Sequence, residues 1–169
     1  MLVEDLQPGS GAWDIVFFSS LIYANDRRPT RSVFFNTIYT RTGENPNSRE
    51  GAQTYQFGRE LQVMAGVGDQ ILMASQLWNV GFGARYRNAL RDRIDGFSNS
   101  GTGGNFLFSR ANLAWVFPQG EISVLAEMPI YTRVNETQLA SRFLLNVGYT
   151  RRISSQAKKI HDQINDQSI

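Results

Sequence analysis

The chain has 169 residues, of which 19% are charged, with a formal net charge of +2 and a pI near 9.1. That balance is too weak to imply a nucleic-acid partner, and no Lys/Arg run interleaved with aromatics appears. The absence of cysteine excludes a disulfide framework, a thiolate nucleophile and a zinc–thiolate site.

In chain order, residues 1–11 (MLVEDLQPGSG) read as a loop segment. They carry two acids, no basic n-region and no apolar h-region, so they are not a secretory signal. No stretch approaches the ~18–20 apolar residues of a membrane helix. Residues 12–153 read as one all-β segment, because apolar and polar residues alternate with period two in runs of about ten or more. Strands are predicted at about 13–24, 31–41, 54–68, 71–87, 105–117, 122–134 and 139–153, an antiparallel up-and-down meander of about seven. The first is apolar on both faces. In the third, Tyr55, Phe57, Leu61, Val63, Ala65 and Val67 oppose Gln56, Gly58, Glu60, Gln62, Met64 and Gly66. In the fourth, Trp78, Val80, Phe82, Ala84 and Tyr86 oppose Asn79, Gly81, Gly83, Arg85 and Arg87. In the sixth, Ile122, Val124, Ala126, Met128, Ile130 and Val134 oppose Ser123, Glu127 and Arg133. In the seventh, Phe143, Leu145, Val147 and Tyr149 oppose Arg142, Asn146 and Gly148. Side chains alternate across a strand, so each has one oily and one wet side.

The connections alternate in length. Residues 25–30, 69–70 and 118–120 are short turns, whereas 42–53 and 88–104 are long and rich in Gly, Asn, Ser and Arg. Outer-membrane barrels have short periplasmic turns and longer extracellular loops. Residues 135–137 break the trend. Residues 154–169 form a polar tail in which Ile160 and Ile164 lie four apart and Ser155 stands where it would cap a short helix. A frayed tail fits as well, since so short a helix is marginal in water.

At this point a resemblance enters. The stretches Pro8–Asp14, Tyr55–Gly58, Arg91–Gly96, Ser100–Gly104, Pro129–Leu139 and Asn146–Thr150 resemble the outer-membrane transporter families of proteobacteria, among them the family associated with the phenol-degradation meta pathway. The likeness covers about Leu6 to Ile153 and corresponds to the C-terminal half of a full-length member. It implies part of a transmembrane β-barrel, an open half-barrel as it stands, with the lipid bilayer, a small solute and the barrel-insertion machinery as partners. It also implies that an exported parent carries further strands and a signal upstream. It brings no catalytic residues and no cofactor. Such barrels generally finish on an aromatic residue read by the insertion machinery, whereas this chain continues past Arg151-Arg152-Ile153.

Two constellations follow from the parity. Aromatic girdles are expected where rings are half solvated. On the loop side these are Trp13, Tyr39, Tyr55, Phe57 and Tyr86, and on the turn side Tyr23, Trp115, Phe117 and Tyr149. Ionisable residues are expected to line the lumen: Glu60, Arg85, Arg87, Arg110, Glu127, Arg133 and Arg142. With Pro118-Gln119 at the turn tip, Arg110 falls opposite Glu127, as a cross-strand ion pair. A mainly positive lumen would favour anions or aromatic carboxylates, and a self-neutralising lining is the structural alternative.

The loop at 88–104 lacks both the phosphate-loop spacing and the EF-hand spacing, and reads as a solvated loop folding over the pore mouth. No histidine falls in a strand, the one present being His161, so a Ser–His dyad has no base. The expectation is a non-enzymatic outer-membrane channel for small, anionic or aromatic, solutes, with no metal and no cofactor. The alternatives are a soluble calycin-like barrel holding an apolar ligand, which reverses the parity, and a plugged structural barrel.

Overall fold

The computed structural model describes residues 11–48, 53–136 and 142–152. The expected 154–169 tail, with its Ser155 cap, lies outside them, as do most of the 1–11 segment and Gln138–Leu139. The described residues are all-β and contain no helix. The strands are β1 (Ile15–Asn25), β2 (Arg28–Arg41), β3 (Asn45–Ser48), β4 (Gln53–Gln56), β5 (Glu60–Met73), β6 (Gln76–Ala89), β7 (Arg93–Ile94), β8 (Phe97–Ser98), β9 (Gly104–Phe117), β10 (Gly120–Val134) and β11 (Leu144–Arg151).

Seven of them form one antiparallel sheet in the order β1-β2-β5-β6-β9-β10-β11, a meander that does not close. Most of its strands have 14 or 15 residues. At ~3.3 Å per residue they are longer than the ~9–11 residues that cross a bilayer. The other four strands come from the two long loops and make a small sheet of order β3-β4-β7-β8.

The structure differs from the sequence reading at three points. First, there is no turn at Asp69-Gln70. The β5–β6 ladder runs unbroken from Glu60↔Ala89 to Met73↔Gln76, and the hairpin closes at Ala74-Ser75. Both of these residues adopt positive φ, 51° and 62°. That is the hand a two-residue hairpin turn prefers, but neither is Asn or Gly, so the turn carries no sequence signal.

Second, the predicted third strand is cut at residues 57–59. Gly58 N–H donates to Asp92 Oδ1 at 2.6 Å, and Leu90 N–H donates to Arg59 O at 2.9 Å. A Cβ at Gly58 would stand 1.9 Å from the Leu90 carbonyl oxygen, so only glycine fits there. Tyr55 and Phe57 therefore belong to the loop layer.

Third, β10 bulges between Pro129 and Tyr131. The extra residue, Ile130, reverses the parity beyond it. Arg133 then pairs with Asn105, on the apolar face rather than the polar one expected, and Val134 takes the polar side. The last strand begins at Leu144, which leaves Arg142 in a bend before it.

Ala74→Asn with Ser75→Gly supplies the residues the β5–β6 turn prefers, at a site where positive φ costs an ordinary residue roughly 1–2 kcal/mol. The double substitution is expected to raise unfolding stability by about 1 kcal/mol, read as a higher urea midpoint at unchanged slope.

Candidate functional site

The hydrogen-bonded register fixes which side chains share a face. On one face Gln62, Arg87 and Phe106 lie in one row, Met64, Arg85 and Phe108 in the next, and Gly66, Gly83, Arg110 and Glu127 in a third. Side chains here meet across an intervening strand. Arg85 of β6 reaches over β9 to Glu127 of β10, with Nη2 to Oε2 at 2.6 Å and Nε to Oε1 at 3.3 Å. Arg110 Nη1 of β9 reaches over β6 to Met64 Sδ of β5 at 3.0 Å. Convergence across alternate strands makes this the concave face.

Glu127 is the centre of the network. Its Oε1 also lies 2.6 Å from Arg110 Nε. This is a charge contact in which the N–H is not directed for a hydrogen bond, since Arg110 Nε has no such partner. Arg85 Nη1 donates to Gln62 Oε1 at 3.4 Å, and Gln62 Nε2 donates to Glu60 Oε1. Glu60 accepts from Arg87 Nε and Nη2 at 2.8 and 2.6 Å. The guanidinium of Arg85 lies 4.3 Å from the ring centre of Phe108, and that of Arg87 lies 5.5 Å from that of Phe106. Both geometries suit a cation over an aromatic face. Chain alternation thus gathers Glu60, Arg85, Arg87, Arg110 and Glu127 into one lining, and the expected Arg110–Glu127 pair is present in register and in contact.

Sequence reasoning missed Glu121. It shares this face and accepts from Asn79 Nδ2 at 3.3 Å. Its signal was the period-two step from Glu127 through Leu125 and Ser123. With Arg133 on the other face and Arg142 off the strand, the lining holds three arginines and three glutamates among the described residues. Of the two expected linings, the described part of this face has the composition of the self-neutralising one rather than the mainly positive one.

The lining is floored by glycine where rings lie flat. Gly66 pairs with Gly83, and a Cβ on Gly66 would meet Phe34 Cζ at 2.6 Å. Phe34, Gly68, Gly81, Arg110, Asn112 and Leu125 border a concavity of about 410 Å³ that spans five strands.

The two faces differ in shelter. Glu127 on the polar face is 5% exposed, whereas Phe82 on the opposite face is 63% exposed. Val67, Leu113, Val147 and Leu145 are likewise open. An aromatic ladder crosses the turn end of this apolar face. Trp78 stacks on Trp115 at 6.4 Å, Trp115 packs on Phe117 at 5.2 Å, and Phe117 stacks on Tyr149 at 6.4 Å. Trp78 was not anticipated as part of it. Tyr23 joins the same face from β1. At the loop end Tyr39 stacks on Phe17 at 6.3 Å, and Tyr86 donates to Asn105 Oδ1 at 2.8 Å. Trp13 precedes β1 and is 96% exposed. Tyr55 is corrected: it is 8% exposed and packs edge-on to Phe57 at 5.0 Å in the loop layer. One ion pair sits on the apolar face, Arg31 Nη2 to Asp69 Oδ2 at 3.1 Å.

The loops close over the end of the concave face. Tyr55 O–H donates to Asp92 Oδ2 at 2.6 Å, while Asp95 Oδ1 accepts from Thr54 N–H at 2.8 Å. Thr42 and Gly58 from one loop, Asp92 and Thr102 from the other, and Glu60 and Arg87 from the wall border a common cavity of about 660 Å³. Among the described residues no group of three His, Cys, Asp or Glu is placed to hold a metal ion.

Removing the shared carboxylate is expected to be costly. Glu127→Gln leaves two sheltered guanidiniums without a counter-charge and should destabilise by about 3 kcal/mol. Glu60→Gln, whose partner Arg87 is partly exposed, should cost no more than about 1 kcal/mol. Urea unfolding of both variants, with an Arg85–Glu127 double-mutant cycle, measures the difference.

No protein-family model matches the chain, and no curated protein and no solved structure matches it either.

Proposed function

We propose that this chain forms part of the wall of an outer-membrane β-barrel channel, its apolar face against lipid and its concave ionic face along a passage for small polar solutes. The observation that carries the reading is the inverted shelter of the sheet. At the centre of the main sheet Arg85, Arg110 and Glu127 are sheltered on one face while Val67, Phe82, Leu113 and Val147 lie open on the other, the reverse of a water-soluble fold. Alternating short turns and long loops, strands longer than a bilayer crossing and an aromatic ladder at one end of the apolar face give further support.

The rows of Val67, Val80 and Val147 lie on the face opposite the ionic one, an arrangement that favours the channel reading over a calycin-like carrier with an aliphatic interior. The lining's balanced charge supports passage of small polar solutes with weak ion preference rather than strong anion selection. The paired arginines and the flanking Phe34, Phe106 and Phe108 suit solutes that combine a planar ring with a carboxylate. In this reading the network's role is to bind and orient a passing solute, which asks for no nucleophile and base.

The chain contains no cysteine, so single cysteines report on one site each. Phe82→Cys and Val147→Cys, fluorophore-labelled in vesicles containing brominated lipid, are expected to be strongly quenched by the acyl chains. Gln62→Cys and Asn112→Cys are expected to respond instead to a water-soluble quencher. The opposite pattern, or a detergent-free soluble monomer that binds apolar ligands, overturns the proposal.

A further inference from the structure

At the loop end of the apolar face the side chains turn polar. Asn88 Nδ2 donates to Asn105 Oδ1 at 2.6 Å, and Tyr86 O–H donates to the same oxygen at 2.8 Å. The β10 bulge adds Arg133 opposite Asn105 on this face. Immediately beyond lies a cleft of about 520 Å³ bordered by Arg59, Arg91, Arg93, Asn88, Asn105 and Leu90. No acidic residue lines it. All three arginines are exposed, and none makes a side-chain hydrogen bond or ion pair with a described residue.

The acids nearest in sequence are engaged elsewhere. Asp92 accepts from Tyr55 O–H and Gly58 N–H, and Asp95 accepts from Thr54 N–H. Glu44 and Asp95 share the neighbouring cleft with Arg93 but do not line this one. Three guanidiniums without a direct ion-pair partner among the described residues thus stand at the loop end of the apolar face, beside the exposed side chain of Leu90.

We infer that this cleft binds the phosphate of an anionic lipid head group, with Arg59, Arg91 and Arg93 as donors and Leu90 against the adjoining acyl chain. Guanidiniums match phosphate oxygens in forked geometry. A head-group phosphate is the anion present at that depth, just outside the hydrocarbon. The inference rests on the membrane reading above.

The test uses the full chain in phosphatidylcholine nanodiscs doped with bis-phosphorylated lipid A or with its dephosphorylated form. Lipid retained after extraction is measured by native mass spectrometry. Retention of the phosphorylated form is expected to exceed that of the other by about tenfold or more, given roughly 1 kcal/mol for each basic residue near the surface. Arg59→Gln, Arg91→Gln and Arg93→Gln should each reduce the preference, and together abolish it. The single variants alter exposed side chains without partners, so the outcome does not hang on whether the triple variant folds. Equal retention of both lipids by the unaltered chain overturns the inference, as does a preference that survives the triple substitution. Inorganic phosphate that displaces the lipid at equal concentration would assign the cleft to the free ion instead and also overturn it. Failure of the membrane reading is separately visible, because labelled Phe82→Cys would then escape quenching by brominated lipid.

Discussion

A carboxylate held between two guanidiniums in a sheltered concavity is the constraint to which the rest of the sheet conforms. Glu127 is nearly covered and takes Arg110 from the adjacent strand and Arg85 from the strand beyond. A charge taken this far from water is tolerable only when opposite charges and hydrogen bonds replace its hydration. Both arginines must therefore converge on the same side of β9, which sets the sheet's curvature and consigns the aliphatic rows to its outside. The glycines opposite Arg110 and beneath Phe34 leave room for long side chains to lie across the floor instead of standing up from it. Under the proposed function stability and passage would draw on one feature, since the groups that neutralise one another also form the surface a solute would touch.

Much of this architecture was legible because alternation is a local property. From Ile122 to Pro129 and from Leu61 to Val67, residue type alone announces which side is dry, and counting back from Pro118-Gln119 places Arg110 beside Glu127. What escaped notice depends on partners distant in sequence or on backbone geometry without a signature. Asp69 reads as a turn residue, yet it stays in the ladder opposite Val80 beside Arg31. Ala74 and Ser75 adopt a turn for which their side chains give no cue. The Ile130 bulge costs the pattern one residue and carries Arg133 to the opposite face, and a purely periodic reading has no means of seeing the slip.

The two long loops make the same point at larger scale. Each alone is polar and glycine-rich, with few apolar residues, and reads as solvated coil. Together they form a layer because Asp92 offers two oxygens to one loop's backbone and phenol while its own peptide N–H donates to Thr102 Oγ1. A carboxylate in that position acts as a knot between segments more than thirty residues apart. The Tyr55–Gly58 motif, which alternation would assign to the wall, is drawn into the layer by that knot.

The meander has an odd number of strands, and every neighbouring pair is antiparallel. Its two rims, β1 and β11, therefore point the same way. A rotational mate set beside this sheet would meet it through a parallel seam, with slanted and slightly weaker hydrogen bonds. An all-antiparallel cylinder instead requires an odd complement of additional strands between the rims. Strand parity thus acts as a checksum on any partner that would close the sheet.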